Sequence, residues 1–209
     1  MDLIFFGMQG AGKGTLGKAV AEKYNLQFFE TGGELRRLSQ EDSELGRKIK
    51  SIIEAGHLVS NEVVMEIVEN FVNHIPQGTS VLFDGIPRSV EQANSLNTLL
   101  DKHGRQYTGV LIEISRETAL ARLTTRRVCA QCKKVYPATY TDANCECGGE
   151  LVTRKDDNPE AIETRLQAFQ DETVPAIELY ADKMIRLDGE PAIDEVKESA
   201  FAEIDKIMV

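Results

Sequence analysis

The chain has 209 residues, of which 42% are hydrophobic and 28% are charged, a balance typical of a folded globular protein and not of a disordered one. Its net charge of −10, from 24 basic and 34 acidic side chains, argues against non-specific binding to nucleic acid or to acidic membranes. No apolar run approaches the roughly 20 residues of a membrane-spanning helix, and the N-terminal stretch has neither the basic region nor the cleavage site of a signal peptide. We therefore expect a cytoplasmic protein that binds neither nucleic acid nor a membrane.

Short apolar runs alternate with helical periodicity along most of the chain. Residues 3–6 form the first run, which ends at Gly7 and predicts a buried parallel strand. Residues 81–83 and 110–112 predict two more strands, and residues 184–187 predict a weaker fourth. The predicted helices cover residues 13–23, 62–72, 90–102, 117–126 and 159–181. This alternation predicts an α/β fold in which a mostly parallel sheet is covered on both faces.

Two segments interrupt the alternation. Residues 30–60 predict two helices, at 33–38 and 45–55, with no strand between them. Residues 127–157 are rich in Cys, Gly, Thr and Asp and have no helical period, which favours short hairpins around a metal. We interpret both segments as insertions in the α/β core.

A glycine-rich turn follows the first predicted strand and opens the first predicted helix. Residues 7–15 read G-M-Q-G-A-G-K-G-T, a phosphate-binding pattern in which Gly14 and Thr15 replace an immediate Ser or Thr. Backbone N–H groups in such a turn bind phosphate oxygens, the helix N-terminus adds a favourable dipole, and Lys13 would reach the β- and γ-phosphates. The alternative is a glycine-rich turn with an incidental lysine, and the position between strand and helix argues against it.

All four cysteines of the chain lie within 19 residues, at Cys129, Cys132, Cys145 and Cys147. This clustering predicts a metal site in a reducing compartment and not a disulfide framework. Four thiolates suit tetrahedral zinc, which would stabilise a small insertion and take no part in the chemistry. Two alternatives are a redox-active dithiol and a metal-free knuckle in which Asp142 or Asn144 supplies an imperfect fourth group.

Together these motifs resemble the adenylate kinase family, in its zinc-lid subfamily, over essentially the whole chain. The Gly-Lys-Gly-Thr end of the phosphate loop is the variant of nucleoside monophosphate kinases, and residues 84–88 with Gln92 resemble the family signature D-G-x-P-R-x-x-x-Q. Thr31, Gly32 and Arg36, followed by residues 56–59, resemble its monophosphate-binding segment. Four arginines resemble its lid and hinge arginines, namely Arg122, Arg126, Arg154 and Arg165.

The resemblance implies a P-loop nucleoside triphosphate hydrolase-type parallel sheet flanked by helices, with a helical monophosphate-binding insertion and a zinc-bearing lid. The implied core comprises residues 1–29, 60–120 and 158–209, the AMP-binding insertion residues 30–59, and the lid residues 121–157. The implied activity is the reversible transfer ATP + AMP ⇌ 2 ADP by a monomer, which serves adenine nucleotide homeostasis.

Phosphoryl transfer between two nucleotides requires two polyphosphates held in line, an offset to their repulsion and the exclusion of water. Guanidinium groups suit this task because they bind phosphate oxygens with paired hydrogen bonds. The residues implied at the transferring group are Lys13, Asp84, Arg88, Arg122, Arg126, Arg154 and Arg165. Asp84 would orient Mg2+ through water, with Thr15 as its neighbour.

Ordinary roles are the alternatives for some of these residues. Asp84 also suits a capping or turn role before Gly85, and Arg122 also suits a surface salt bridge. We expect Arg37, Arg105 and Arg116 to have only such surface or ion-pair roles.

The resemblance also implies contacts to the two nucleotides. Those to ATP involve Gly10, Ala11, Gly12, Lys13, Gly14, Thr15, Arg122, Arg126, Val135, Tyr136 and Glu190. Those to AMP involve Thr31, Arg36, His57, Leu58, Val59, Gly85, Arg88, Gln92, Arg154 and Arg165. In the family Gln92 reads the adenine edge of AMP, and Val135 with Tyr136 would pack on the adenine of ATP, although Tyr136 suits a hairpin core equally well.

Several positions depart from the family pattern. Gln9 replaces a proline of the phosphate loop, Gly33 replaces an acidic residue after Thr-Gly, and His57 stands where lysine is frequent. Cys145 lies one residue closer to Cys147 than in the usual Cys-x-x-Cys pair. We expect a less pre-set phosphate loop and the loss of one carboxylate near the phosphates, but activity nonetheless, because no phosphate-binding arginine is missing.

The sequence leaves two alternative functions open. One is a UMP or CMP kinase, which Gln92 disfavours. The other is a nucleotide-gated protein that uses a zinc ribbon to contact nucleic acid, which Lys133 and Lys134 beside the cysteines favour and the net charge of −10 disfavours.

Overall fold

The computed structural model describes residues 1–208 and contains one sheet of five strands and one of three. The large sheet is parallel and has the spatial order β2-β3-β1-β4-β8, where β1 is Asp2–Phe6, β2 Gln27–Glu30, β3 Val81–Asp84, β4 Tyr107–Glu113 and β8 Met184–Asp188. The small sheet is antiparallel, with β5 (Arg127–Cys129) between β6 (Val135–Tyr136) and β7 (Leu151–Val152).

Helices connect these strands. They are α1 (Lys13–Lys23), α2 (Thr31–Leu38), α3 (Glu44–Glu54), α4 (Asn61–His74), α5 (Val90–Lys102), α6 (Arg116–Thr125), α7 (Pro159–Ala168), α8 (Val174–Glu178) and α9 (Ile193–Asp205). The predicted α/β fold, a P-loop-type parallel sheet with helices on both faces, is confirmed. Within residues 1–208, no helix combines the length and the apolar composition that crossing a membrane requires.

β1 lies at the centre of the fold and separates two hydrophobic layers. Its side chains point alternately to the two faces of the sheet. Leu3 and Phe5 pack with buried residues of α1 and α9, whereas Ile4 and Phe6 pack with buried residues of α4, α5 and α7. Because both faces are covered, every residue of β1 is buried, which explains the continuous apolar run of residues 3–6.

Two elements are absent from the sequence-based predictions. β2 is an edge strand of four residues in which only Phe29 is fully buried, so its apolar signal is short. α9 packs on the first layer through Val196, Ala200 and Ile204. The two predicted helices within residues 30–60 correspond to α2 and α3.

The long helix predicted at residues 159–181 is interrupted. A π-helical turn (Phe169–Thr173) separates α7 from α8, and Pro175 stands in the first turn of α8. Proline has no N–H to donate, so a regular α-helical hydrogen-bond pattern cannot continue through this position. The interruption places Thr173 beside the turn that follows β3, where its hydroxyl donates to the carbonyl oxygen of Arg88 at 2.9 Å.

A buried ion pair attaches the start of β1 to its surroundings. Asp2 accepts hydrogen bonds from Nε (2.6 Å) and Nη2 (2.8 Å) of Arg105, and from the N–H of Val81 at 2.8 Å. Arg105 also donates to the carbonyl oxygen of Thr79 at 2.7 Å. Arg105 therefore has the ion-pair role predicted for it. The same holds for the two other arginines of that prediction: Arg37 pairs with Glu34 and Glu41, and Arg116 pairs with Glu163.

We predict that Arg105→Ala lowers the free energy of unfolding by about 3–5 kcal/mol, because the Asp2 carboxylate would remain buried without its partner. Arg186→Ala is the matched control, since Arg186 pairs with Glu113 at the exposed surface and its removal should change the free energy of unfolding by less than about 1 kcal/mol. Urea denaturation followed by circular dichroism measures both values. Equal effects of the two substitutions would contradict the prediction.

Candidate active site

The phosphate loop lies where the carboxyl ends of β1, β2 and β3 meet. Glu30 and Asp84 are register partners at the last positions of β2 and β3. The loop ends at Gly12, whose φ of 87° lies in the left-handed region that favours glycine. No side chain caps the N-terminus of α1, whereas Ser89 and Ser115 cap α5 and α6. The first turn of α1 therefore suits an anion as its hydrogen-bond partner.

Lys13 lies against its own loop. Its Nζ atom donates hydrogen bonds to the carbonyl oxygens of Gly7 (2.6 Å) and Met8 (3.1 Å). Burial lowers the pKa of Lys13 to about 8, and the nearby Asp84 carboxylate opposes this shift. A phosphate bound to the loop would favour the charged lysine for the same electrostatic reason.

Asp84 is buried at the end of β3, next to the phosphate loop. A Cβ atom placed on Gly14 would lie 3.6 Å from Oδ2 of Asp84. Burial raises the pKa of the Asp84 carboxyl, and the charge of Lys13 acts in the opposite direction. Thr15, the predicted neighbour of Asp84 at a magnesium ion, is exposed in the first turn of α1.

Three of the predicted phosphate-binding arginines converge on two adjacent buried carboxylates. Arg126 binds Asp157 through Nε (2.9 Å) and Nη2 (2.6 Å), and Arg165 binds the same carboxylate through Nη2 at 2.8 Å. Arg154 forms a bidentate pair with Asp156, which also accepts from Nη1 of Arg165 at 3.2 Å. Burial acts to raise the pKa of Asp156, but the hydrogen bonds and charge of Arg154 outweigh it and the pKa is lowered.

Arg36 and Arg88 reach the same cleft from α2 and from the turn after β3. Nη2 of Arg36 donates to Oε1 of Glu30 at 2.6 Å, and Nε of Arg88 donates to the carbonyl oxygen of Gly85 at 3.0 Å. Burial lowers the pKa of both arginines, and the positive charge of Arg154 lowers both further. Their influence on one another indicates a single electrostatic cluster.

More basic than acidic groups share this cleft. The basic side chains are Lys13, Arg36, Arg88, Arg126, Arg154 and Arg165, and the acidic side chains are Glu30, Asp84, Asp156 and Asp157. The local excess of positive charge contrasts with the net charge of −10 of the whole chain. A small polyanion such as a nucleotide is the class of ligand that this distribution suits.

Sequence reasoning missed the roles of three of the four carboxylates. Asp156 and Asp157 follow Arg154 closely in the chain, and this mixture of charges before a helix start was the available signal for internal ion pairs. Glu30 ends the edge strand that the pattern did not reveal, so nothing in the sequence indicated that it lies beside Asp84.

Arg122 bonds to backbone carbonyl groups and not to a carboxylate. Its guanidinium donates to the carbonyl oxygens of Gly10 (3.4 Å), Gly189 (3.0 Å) and Glu190 (3.1 Å). The Glu190 carboxylate in turn accepts from the N–H of Ser115 at 2.6 Å, a bond that lowers its pKa. Arg122 therefore joins the phosphate loop at Gly10 to the predicted base-contacting turn, and its place at the transferring phosphate stays a prediction.

The predicted AMP pocket contains buried polar groups. Thr31 is buried, and within the described chain its hydroxyl has no hydrogen-bond partner. Gln92 is also buried, and its Oε1 accepts from the N–H of Arg88 at 2.9 Å. The other predicted residues differ in exposure: Val59 is buried, Leu58 and Gly85 are half-buried, and His57 is exposed.

A small cavity of about 30 Å³ lies between the phosphate loop and Arg88. Gln9, one of the departures from the family pattern, lines this cavity with Lys13, Gly85 and Thr173. The Oε1 atom of Gln9 is buried and has no hydrogen-bond partner among residues 1–208. Because an unpaired buried amide is unfavourable, this group suits a ligand that donates a hydrogen bond.

The four cysteines converge around one point of the small sheet, with all four Sγ atoms within 4.8 Å of one another. The Sγ atoms of Cys129 and Cys147 are 3.5 Å apart, and those of Cys132 and Cys145 are 3.4 Å apart. Tetrahedral zinc with Zn–S bonds of about 2.3 Å has S···S distances of about 3.8 Å. The cluster therefore has the size of a four-thiolate metal site despite the short Cys-x-Cys half.

Tyr136 belongs to the interior of this small sheet. Its side chain is 3% exposed, its ring centroid lies 4.3 Å from that of Tyr140, and its hydroxyl lies 3.1 Å from Sγ of Cys145. Of the two interpretations of Tyr136, the structure supports the hairpin core. The ring packs against Tyr140 beside the cysteine cluster, and the adenine contact through Tyr136 stays a prediction.

The opposite face of the small sheet carries a row of three valines. Val128 is the register partner of both Val135 and Val152, so the three side chains share one face. Val135 is 43% exposed and Val152 is 38% exposed. We call Val128, Val135 and Val152 the valine row; it is an apolar surface of this sheet, and the adenine contact of Val135 stays a prediction.

The chain matches the family model described as "Adenylate kinase" over residues 5–185. It is 37% identical to an adenylate kinase of Fervidobacterium nodosum, over 96% of each chain, and 37% identical to one of Clostridium beijerinckii, over 94% of each. It is 35% identical to an adenylate kinase of Listeria innocua, over 100% of this chain and 99% of the relative. The matched residues 5–185 therefore span both the charged cleft and the cysteine cluster.

Proposed function

The chain belongs to the adenylate kinase family and is a phosphotransferase that catalyses ATP + AMP ⇌ 2 ADP; we propose that the charged cleft at the carboxyl edge of the large sheet is its active site. The observation that carries this proposal is the convergence of six basic side chains, with only four carboxylates, on the phosphate loop. Two nucleotides that meet head to head would supply the missing negative charge.

The cleft accelerates the transfer by position and electrostatics. The loop N–H groups and Lys13 hold the β- and γ-phosphates of ATP, and Arg88 bridges the γ-phosphate and the phosphate of AMP. Arg126, Arg154 and Arg165 bind the equatorial oxygens whose negative charge grows as the bond to the leaving ADP breaks. Their carboxylate partners already orient these guanidinium groups, so little reorganisation accompanies the transfer.

The acceptor pocket selects adenine through buried amide and hydroxyl groups. Gln92 presents its side-chain amide to the base edge, and Thr31 lies against the ring with an unpaired hydroxyl. A base that leaves such a buried group unpaired loses about 1–3 kcal/mol of binding free energy. Arg36 holds the monophosphate with Arg88, and the pocket is completed by His57, Leu58, Val59 and Gly85.

Asp84 is the residue that would hold a Mg2+ ion bound together with ATP. Its carboxylate is buried beside the first turn of α1, where the phosphates of ATP would lie. When bound, Mg2+ neutralises part of the phosphate charge. Asp84 would orient the water ligands of the ion and balance the charge of Lys13.

The cysteine cluster fits zinc, because four thiolates at this spacing match a closed tetrahedral site. We assign the ion to the stability of residues 121–157, which have a hydrophobic cluster of their own around the cysteines. The metal would affect the reaction only indirectly, by keeping the small sheet folded so that the valine row can contact the bound ATP.

The AMP-binding insertion and the lid close over the core when the nucleotides bind. We propose a core of residues 1–29, 60–120 and 158–209, an AMP-binding insertion of residues 30–59 and a lid of residues 121–157. Closure excludes water from the γ-phosphate, and lids of adenylate kinases are an established example of such gating. Since one chain supplies every residue of the cleft, we propose a monomer, and thiolates that bind zinc suit the reducing cytoplasm.

An acceptor panel tests the function. With ATP and Mg2+, AMP should be phosphorylated far faster than UMP or CMP, and Arg88→Ala should reduce kcat by at least about 100-fold because Arg88 contacts both phosphates. Arg37→Ala is the matched control, since Arg37 is exposed and pairs with Glu34 and Glu41. Coupled ADP formation measures the rates, and equal rates with the three acceptors would refute the adenine assignment.

ATP binding should weaken above pH 8. Because burial lowers the pKa of Lys13 to about 8, this side chain is mostly charged at pH 7 and mostly neutral at pH 9. The Kd for ATP should therefore rise by about fivefold between pH 8 and pH 9. Lys13→Arg keeps its charge over this range and should lose the dependence; isothermal titration calorimetry measures both proteins. An identical pH profile in the variant would assign the effect to another group.

Loss of one thiolate should release the metal. We expect Cys147→Ser to lose bound zinc and to melt at a lower temperature, while keeping some activity in the cold, because the cleft residues stay in place. Asp142→Ala is the control, since Asp142 was the alternative fourth ligand and should leave zinc content unchanged. Elemental analysis and thermal denaturation provide the measurements. Absence of zinc from wild-type protein prepared without chelator would refute the assignment.

A further inference from the structure

We propose that Glu30 is a positioning residue, which holds Arg36 in place to receive the phosphate of AMP. The inference rests on the proposed function and concerns a carboxylate to which the family resemblance assigns no role. It starts from the hydrogen bond of 2.6 Å between Nη2 of Arg36 and Oε1 of Glu30, a half-buried pair at the junction of β2 and α2.

Two glycines make room for this pair. A Cβ atom on Gly33 would lie 3.3 Å from Oε2 of Glu30, and one on Gly32 would lie 3.0 Å from Nη1 of Arg36. Neither glycine has a positive φ, so the backbone here would accept other residues. The two glycines are therefore explained by space: the Glu30 and Arg36 side chains lie over the first turn of α2.

Arg36 needs a nearby negative charge to remain in the cleft. Burial lowers the pKa of Arg36, the positive charge of Arg154 lowers it further, and Glu30 and Asp156 act in the opposite direction; of these two carboxylates, Glu30 is the one that bonds to Arg36. Without Glu30, repulsion from Arg154 and Arg88 would favour rotamers that carry the guanidinium of Arg36 away from the other arginines and into solvent.

The bond to Glu30 leaves Arg36 able to bind phosphate. Glu30 accepts from a single nitrogen, Nη2, whereas a guanidinium carries five N–H donors in a planar fork. The remaining N–H groups of Nε and Nη1 are available to phosphate oxygens. Glu30 thus fixes the plane of the guanidinium before AMP binds, which reduces the conformational entropy lost on binding.

The space over Gly33 suggests that a carboxylate at position 33 could orient Arg36 in place of Glu30. An acidic residue at position 33 would lie in the first turn of α2 and three residues before Arg36, a spacing at which side chains pair on a helix. Glu30 occupies that space from the end of β2. A carboxylate moved from position 30 to position 33 should therefore restore the same function.

The test compares steady-state kinetics of Glu30→Ala, the double variant Glu30→Ala with Gly33→Asp, and the control Glu34→Ala. Glu34 is an acidic residue of the same helix that pairs with Arg37, which has no place in the cleft. Glu30→Ala should raise the KM for AMP by about tenfold and leave kcat and the KM for ATP within about twofold. The double variant should recover most of the affinity for AMP, and Glu34→Ala should leave it unchanged.

Three outcomes would overturn the proposal: an unchanged or lower KM for AMP in Glu30→Ala, an equal rise in the KM for ATP, or no recovery in the double variant. Thermal denaturation of each variant identifies loss of folding, and the rescue distinguishes positioning from a general structural role. If the wild-type protein forms no ADP from ATP and AMP, the proposed function itself fails, which is a separate result.

Discussion

Repulsion among the basic side chains of the cleft is the interaction that the rest of the structure must offset. Burial lowers the pKa of Lys13, Arg36 and Arg88, and neighbouring guanidinium groups lower those of the two arginines further. Four carboxylates hold these groups together while leaving an excess of positive charge. Bound phosphate groups neutralise the remaining positive charge. Because this relieves the repulsion among the basic side chains, it contributes to the binding free energy of the two nucleotides.

The fold supplies these carboxylates from rigid positions. Asp84 and Glu30 end adjacent parallel strands, so their separation is set by sheet register. Asp156 and Asp157 lie between β7 and α7, at the end of the proposed lid, and they bind Arg126 and Arg154 of that segment and Arg165 of α7. Movement of the proposed lid would therefore change the same ion pairs that orient the phosphate-binding groups.

Local patterns predicted much of this architecture. The buried strands, the phosphate loop and the cysteine cluster have short-range signals, namely apolar runs, glycines before a lysine and close thiols, and the structure contains all of them. What could not be predicted depends on partners distant in the chain. Glu30 ends an edge strand with a weak apolar signal, Arg122 bonds a turn 67 residues away, and the burial of Tyr136 depends on the folded cysteine knuckle.

The proposed lid has a hydrophobic cluster of its own, and this affects which part of the protein can unfold first. Cys129, Tyr136, Cys145 and Leu151 form a core that is not continuous with the two layers around β1. Such a unit can open while the parallel sheet stays folded. Oxidation of the thiols or loss of the proposed metal would then loosen this small unit first, while the parallel sheet and its phosphate loop keep their fold.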